Sequence, residues 1–329
     1  MITTKSTKSA LQLLLLIYLA INGLLSSAQT INAAGFAFIG DFSDAQLKFP
    51  YSTAVLKQYT AENKEANSGS CDFTCAYSQK INRFSQENIE NNKKHTFNFS
   101  ALSELKNSDQ ALVISLVLTN ENVIIEKFKN YYKIFVNIQA EALLFDFKAL
   151  MVVRSYPIAI NYFDAQSTEP TDNDITKIVR DILLSEEDKR LPSEYVKKLS
   201  KITIPKPGTK FITVKSASAN DELISQIFPQ KLANPKAASQ LIADTFSATL
   251  SDRLGVPVIP SRISHSTGVM RVRFADFDSF TLKLPEADYW FEISLDKAIK
   301  KVYKKQERVL TVFLYGVFTN LTFSSEINR

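Results

Sequence analysis

A chain of 329 residues, 45% hydrophobic and 22% charged, carries enough apolar material for a packed core and is too apolar to be a disordered tail. Its formal charge of +5 is too small an excess to mark nucleic acid as the partner. Eight glycines and two histidines leave little for common chemistry: no G-x-G-x-x-G, Walker, G-x-S-x-G or H-E-x-x-H string is present, and no cofactor or metal site is expected.

The first stretch holds Lys5 and Lys8 and no acid, then an apolar run from Ala10 to Leu25, then the small residues Ser26, Ser27 and Ala28. Positive, apolar and small is the order of an export signal. A spanning helix needs about 20 predominantly apolar residues, and this run is shorter and contains Gly23. Residues 1–28 therefore read as a signal peptide cut after Ala28, with an uncleaved membrane anchor as the alternative; removing Lys5 and Lys8 takes the formal charge from +5 to +3. Export places the remainder in the periplasm or outside the cell, where Cys71 and Cys75 are expected to close a local disulfide. A metal site there would need more ligands than nearby His95 supplies.

Phe36 to Ile39, closed by Gly40 and Asp41, predicts a buried strand. Ser43 with Gln46 has capping-box spacing, and a helix broken or restarted at Pro50 should turn Val55, Leu56 and Tyr59 inward. Residues 60–109 are rich in Asn, Lys, Ser and Glu and read as a polar surface excursion holding one amphipathic helix marked by Tyr77, Ile81 and Phe84. Leu112 to Leu118 is strongly β, Asn120 to Asn122 reads as a turn, and Val123 to Ile125 resume the strand. The alternation of Tyr132, Ile134, Val136 and Ile138 predicts antiparallel sheet, in a meander that continues to Pro157.

A polar stretch around Thr168 to Thr171 reads as a boundary, dividing the chain into an N-terminal α/β subdomain (29–165) and a C-terminal one (166–329), with the run from Pro205 to Gly208 as a second candidate. Ile175, Ile178, Val179, Ile182 and Leu183 follow a helical stripe behind Asp172 and Asp174. A strand at Phe211 to Val214, a short helix at Leu223 to Phe228, and a longer one from Pro235 to a stop at Gly255 follow. Val256 to Ile259 reads as a short buried strand. Alternating runs at Met270 to Phe274 and Tyr289 to Leu295, and a last β run from Val309 to Phe323, complete the pattern. The fold class expected is α+β or mixed α/β: antiparallel-rich sheets covered by amphipathic helices, in two subdomains.

Candidate chemistry is thin. His265 lies in a hydroxyl-rich turn and could act as a general base with Ser264 or Ser266 as nucleophile and Asp276 or Asp278 as orienter. Asp276 and Asp278 point one way from a strand, whereas Asp41 with Asp44 and Asp172 with Asp174 sit where helix caps already explain them. Arg271 and Arg273 share a strand face, and with Lys283 they could offer a basic patch; Tyr289 and Trp290 could anchor an interface. Lys300, Lys301, Lys304 and Lys305 read as helix or turn surface, with contact to an anionic surface as the alternative. Asn98 and Asn320 fit the glycosylation pattern, which matters only in a eukaryotic secretory route.

The leading expectation is an exported, non-catalytic protein of a bacterial cell envelope that binds or assembles with an envelope protein partner through its sheet face or edge, with membrane-surface contact as a further option and no oligomeric state implied. The alternatives are an exported hydrolase using His265 or the Asp276 and Asp278 pair, and a membrane-tethered assembly subunit that keeps its anchor.

Overall fold

The computed structural model describes residues 29–40, 42–63, 73–89, 95–99, 112–128, 130–206, 208–227, 235–254, 258–261, 268–274, 279–306 and 310–325. The leader 1–28, Cys71, His265, Asp276 and Asp278 lie outside the described residues. β1 (Gln29–Ile39) is followed by α1 (Phe42–Lys48), α2 (Pro50–Glu62), α3 (Cys75–Asn88) and a short β2 (His95–Asn98). Then come β3 (Leu112–Phe128), β4 (Tyr131–Asp146), β5 (Met151–Gln166), α4 (Asp172–Leu184) and α5 (Leu191–Ser200). The rest is β6 (Ile212–Ala219), α6 (Asp221–Ile227), α7 (Pro235–Leu254), β7 (Val269–Phe274), β8 (Ser279–Lys283), β9 (Tyr289–Gln306) and β10 (Leu310–Ser325). The protein is mixed α/β.

Seven strands form one mixed sheet in the order β2-β1-β3-β4-β5-β8-β7. β1 runs parallel to β2 and β3; β3–β4, β4–β5 and β7–β8 are antiparallel. β7 also returns to β1, where Ala37 to Ile39 pair with Phe274 to Val272, so six strands curl into a ring. Its seam is the single pair Met151–Lys283, held by the Lys283 N–H on the Leu150 carbonyl at 2.7 Å.

Alternation along β4 serves two cores at once. Ile134, Val136, Ile138, Ala140, Ala142 and Leu144 join the core shared with the helices, whereas Leu143 and Phe145 cluster with Ala37, Val117, Val152, Met270, Val272, Phe274 and Leu282, which come from the other five ring strands. α4 adds Ile175, Val179, Ile182 and Leu183 to the helix-side core, its start fixed by a capping box between Thr171 and Asp174. α5 adds Leu191, Tyr195 and Leu199, so this core continues past residue 166 as far as Ile202.

Three details differ from the sequence reading. Asn120 to Asn122 form no turn: β3 runs straight through with a register shift between Leu118 and Asn120. The amides instead bridge strands, Asn122 Nδ2 donating to Asn137 Oδ1 at 3.4 Å and Asn137 Nδ2 to Asn161 Oδ1 at 2.8 Å. β5 also passes through Pro157, which is tolerated because the only bridges on the side of β5 away from β4, among the described residues, are at Met151 and Ser155, so no ladder bond needs the missing N–H. The lysines at 300, 301, 304 and 305 lie on the strand β9, not on a helix or turn.

The second sheet is three-stranded, β10-β9-β6, with β6 parallel and β10 antiparallel to β9. α7 packs on β6 and also on β5. Residue 258 ties the sheets together: Ser155 N–H donates to the Val258 carbonyl at 3.2 Å, and Ile259 N–H to the Ile212 carbonyl at 3.0 Å.

Candidate functional site: an unpartnered ribbon

β6 pairs with β9 only from Tyr289 to Leu295. The near part of the β9–β10 hairpin is therefore anchored: Phe246 of α7 meets Phe291 edge-on at 5.1 Å, Phe291 meets Phe323 at 4.9 Å, and Tyr289 stacks on Phe323 at 5.3 Å. A register shift at Phe318/Thr319 leaves Asp296 unmatched on β9. Beyond it the hairpin is a two-stranded ribbon whose strands, among the described residues, pair with no strand but each other. An isolated two-stranded hairpin is at best marginally stable in water, and open strand edges invite pairing.

The side chains carry the same message. Among the described residues ten large hydrophobics are exposed, and seven lie on this one element: Val302, Tyr303, Leu314, Val317, Phe318, Leu321 and Phe323, at 49% to 74%. Register puts Val317, Leu321 and Phe323 on the face that carries Ile293, which α7 buries, so the apolar stripe extends past its helix cover. From 297 to 306 and from 310 to 325 every charged residue is a lysine: Lys297, Lys300, Lys301, Lys304 and Lys305, all on β9. β10 from Leu310 to Ser325 carries no charge.

A second cluster lies where α7 crosses β4 and β5. Glu141, Asp244, Ser155, Ser247 and Gln139 line a cavity of about 20 Å³, room for one water and no organic substrate. Glu141 Oε2, Ser247 Oγ and Gln139 Nε2 make no hydrogen bond among the described residues. Burial pushes the Glu141 carboxyl up to about 8, opposed by the nearby Ser155 hydroxyl and reinforced by Asp244. Burial likewise pushes Asp244 up to about 6, against the pull of the Gln240 amide at 2.6 Å. The pair can hold a proton at neutral pH. An open groove of about 380 Å³ lies near Lys80, Lys177 and Arg180, where Lys80 is paired with Glu186 and Arg180 with Glu62.

The residues singled out from sequence separate. Arg271 and Lys283 lie on one face of the β7–β8 hairpin, with half-buried Arg273 two residues along; the opposite face, Met270, Val272 and Leu282, is buried. Trp290 is on β9 in the other sheet, with Lys215 Nζ 4.9 Å from its ring centre, so it forms no site with the arginines. Cys75 is buried at the start of α3 and is not a free thiol; its expected partner Cys71, like His265, Asp276 and Asp278, lies outside the described residues. Among the described residues there is no cluster of three or more His, Cys, Asp or Glu suited to a metal, and no helix long and apolar enough to cross a membrane. Sequence reasoning missed Glu141 and Asp244, which are 103 positions apart and belong to no motif. A carboxylate at an inward position of a two-sided buried strand, Gln139-Ala-Glu141-Ala-Leu143, was the available signal.

No protein-family model matches the chain, and no curated protein matches it either.

Proposed function

We propose that this chain is an exported, non-catalytic envelope protein that docks on the anionic surface of a bilayer through the β9–β10 ribbon. The observation that carries this reading is the concentration of exposed apolar side chains on one element whose strands, from Lys297 to Gln306 and from Leu310 to Ser325, carry no charge but lysine. Apolar groups gain by entering the headgroup boundary while lysine ammoniums snorkel to lipid phosphates, each contributing about 1 kcal/mol near an anionic leaflet. Alternation places lysines on both sides of β9, and a lysine facing the hydrocarbon midplane would lose about 2–4 kcal/mol. The ribbon therefore lies in the interface instead of spanning it. The β3–β4–β5 meander and the buried stripe of α4 support reading the body as antiparallel-rich sheet under amphipathic helices, a rigid carrier for the ribbon.

Flotation with phosphatidylcholine vesicles, with and without phosphatidylglycerol, tests this. The expected result is binding that requires phosphatidylglycerol, weakens with salt, and drops at least about tenfold in K297E/K301E, whose substitutions fall on exposed positions. Binding that ignores lipid charge, or no binding at all, would sink the reading and return the ribbon to an envelope protein partner. Export also implies that Cys71 and Cys75 are joined; alkylation of both in the folded chain without prior reduction would refute that.

A further inference from the structure

We infer that copies of this chain assemble edge to edge through the ribbon, β10 of one copy pairing with the outer part of β9 in the next, in a head-to-tail order that closes into a ring. The inference rests on the ribbon being the working surface, and not on what lies beneath it.

The ribbon has two open edges, and they differ. Among the described residues, β10 presents an unpaired edge from Leu310 to Ser325 without a charge; β9 presents one from Lys297 to Gln306 that carries five lysines, Asp296 being closed by Asn220 Nδ2 on its carbonyl at 3.3 Å. Three ways of joining two copies are available. Pairing β9 with β9 sets lysines opposite or diagonal to lysines, which is destabilising. Pairing β10 with β10 avoids that but leaves both β9 edges with bare backbone N–H and C=O groups. Pairing β10 with β9 places every lysine beside an uncharged strand and satisfies both edges of every copy. It also continues the existing pattern, since β9 and β10 are antiparallel and identical ribbons laid side by side stay antiparallel. Because the two edges are different surfaces, the contact is heterologous, and heterologous contacts either close into rings or run on as filaments. The right-handed twist of a sheet rotates each ribbon relative to the last, which favours closure.

The test uses the full chain with a photo-crosslinking phenylalanine derivative at position 317, exposed and opposite Ala298 in its own hairpin. Unlabelled and nitrogen-15-labelled copies are mixed, with and without phosphatidylglycerol vesicles, so that crosslinks between copies are told from those within one. Expected are mixed-label crosslinks from β10 to the β9 segment around Lys297 to Lys305, in complexes of more than two copies. Val317→Lys should lower their formation about tenfold by placing a cation against the neighbour's lysines, and Val317→Glu should preserve it. Mixed-label crosslinks from β10 to β10 in a two-copy complex would overturn the inference. So would a single copy bound to vesicles, an outcome that leaves the membrane reading standing; assembly without vesicle binding would do the reverse.

Discussion

Ser78 of α3 occupies the space that a side chain on Gly35 of β1 would need: a Cβ built on Gly35 lies 2.9 Å from Ser78 Cβ. Gly35 sits at φ +73 in the irregularity between Ala33 and Phe36, and the Ser78 hydroxyl accepts from Phe36 N–H at 3.0 Å and donates to the Phe36 carbonyl at 3.3 Å. The Gly35 carbonyl accepts from Ser115 Oγ at 2.9 Å. Gly35→Ala should therefore cost about 2–4 kcal/mol, from backbone strain and a contact that backbone-anchored atoms cannot relieve. Denaturant midpoints check this, and Ser78→Gly in the Gly35→Ala background should recover part of the loss.

Glu121 is expected to matter more than a carboxylate in an asparagine-rich stretch suggests. α2 has no side-chain cap and no acid in its first turn, and Glu121 reaches across from β3 to accept from Tyr51 N–H at 2.9 Å and Ser52 N–H at 2.7 Å. Burial raises its pKa and these hydrogen bonds oppose the rise. Glu121→Ala leaves two donors, one buried and one half-buried, without an acceptor at the positive end of a helix, a loss of about 2–3 kcal/mol in unfolding free energy. An unchanged thermal midpoint would contradict the tether.

Stability should fall as pH rises. The unfolded chain releases the Glu141 proton near 4.5, whereas the folded protein keeps it until about 8. Between those values the folded state binds the extra proton, so its advantage is full below about 4.5, shrinks through the window and stays lost above about 8. Asp244 acts in the same direction, between 3.8 and about 6. Glu141→Gln should flatten the upper part of the curve and exceed the parent above the window by on the order of 1–3 kcal/mol. Parallel curves for parent and variant would show that the carboxyl is solvated.

Where side chains repeat with a clear period, the elements were legible: the stripe of Ile175, Val179, Ile182 and Leu183 is α4, Tyr77 and Ile81 mark α3, and Met270, Val272 and Phe274 face a core from β7. Asn120 to Asn122 misled because amides favoured in turns can also bridge strands when neighbouring asparagines fall in register. The lysines of β9 misled because a charged run normally marks a solvated helix face, and nothing local shows that Leu310 to Phe323 folds back beside it. The ring closure between Ala37 and Phe274 and the meeting of Glu141 with Asp244 depend on long-range packing, which no spacing rule encodes.

The most direct test of the ribbon as the working surface is amide hydrogen exchange, followed residue by residue with and without phosphatidylglycerol vesicles. Expected is slowing of at least about tenfold confined to Lys297–Gln306 and Leu310–Phe318, with the six-strand ring unchanged. Protection that appears instead on the β7–β8 hairpin around Arg271, Arg273 and Lys283, with the ribbon exchanging at its free rate, would contradict it.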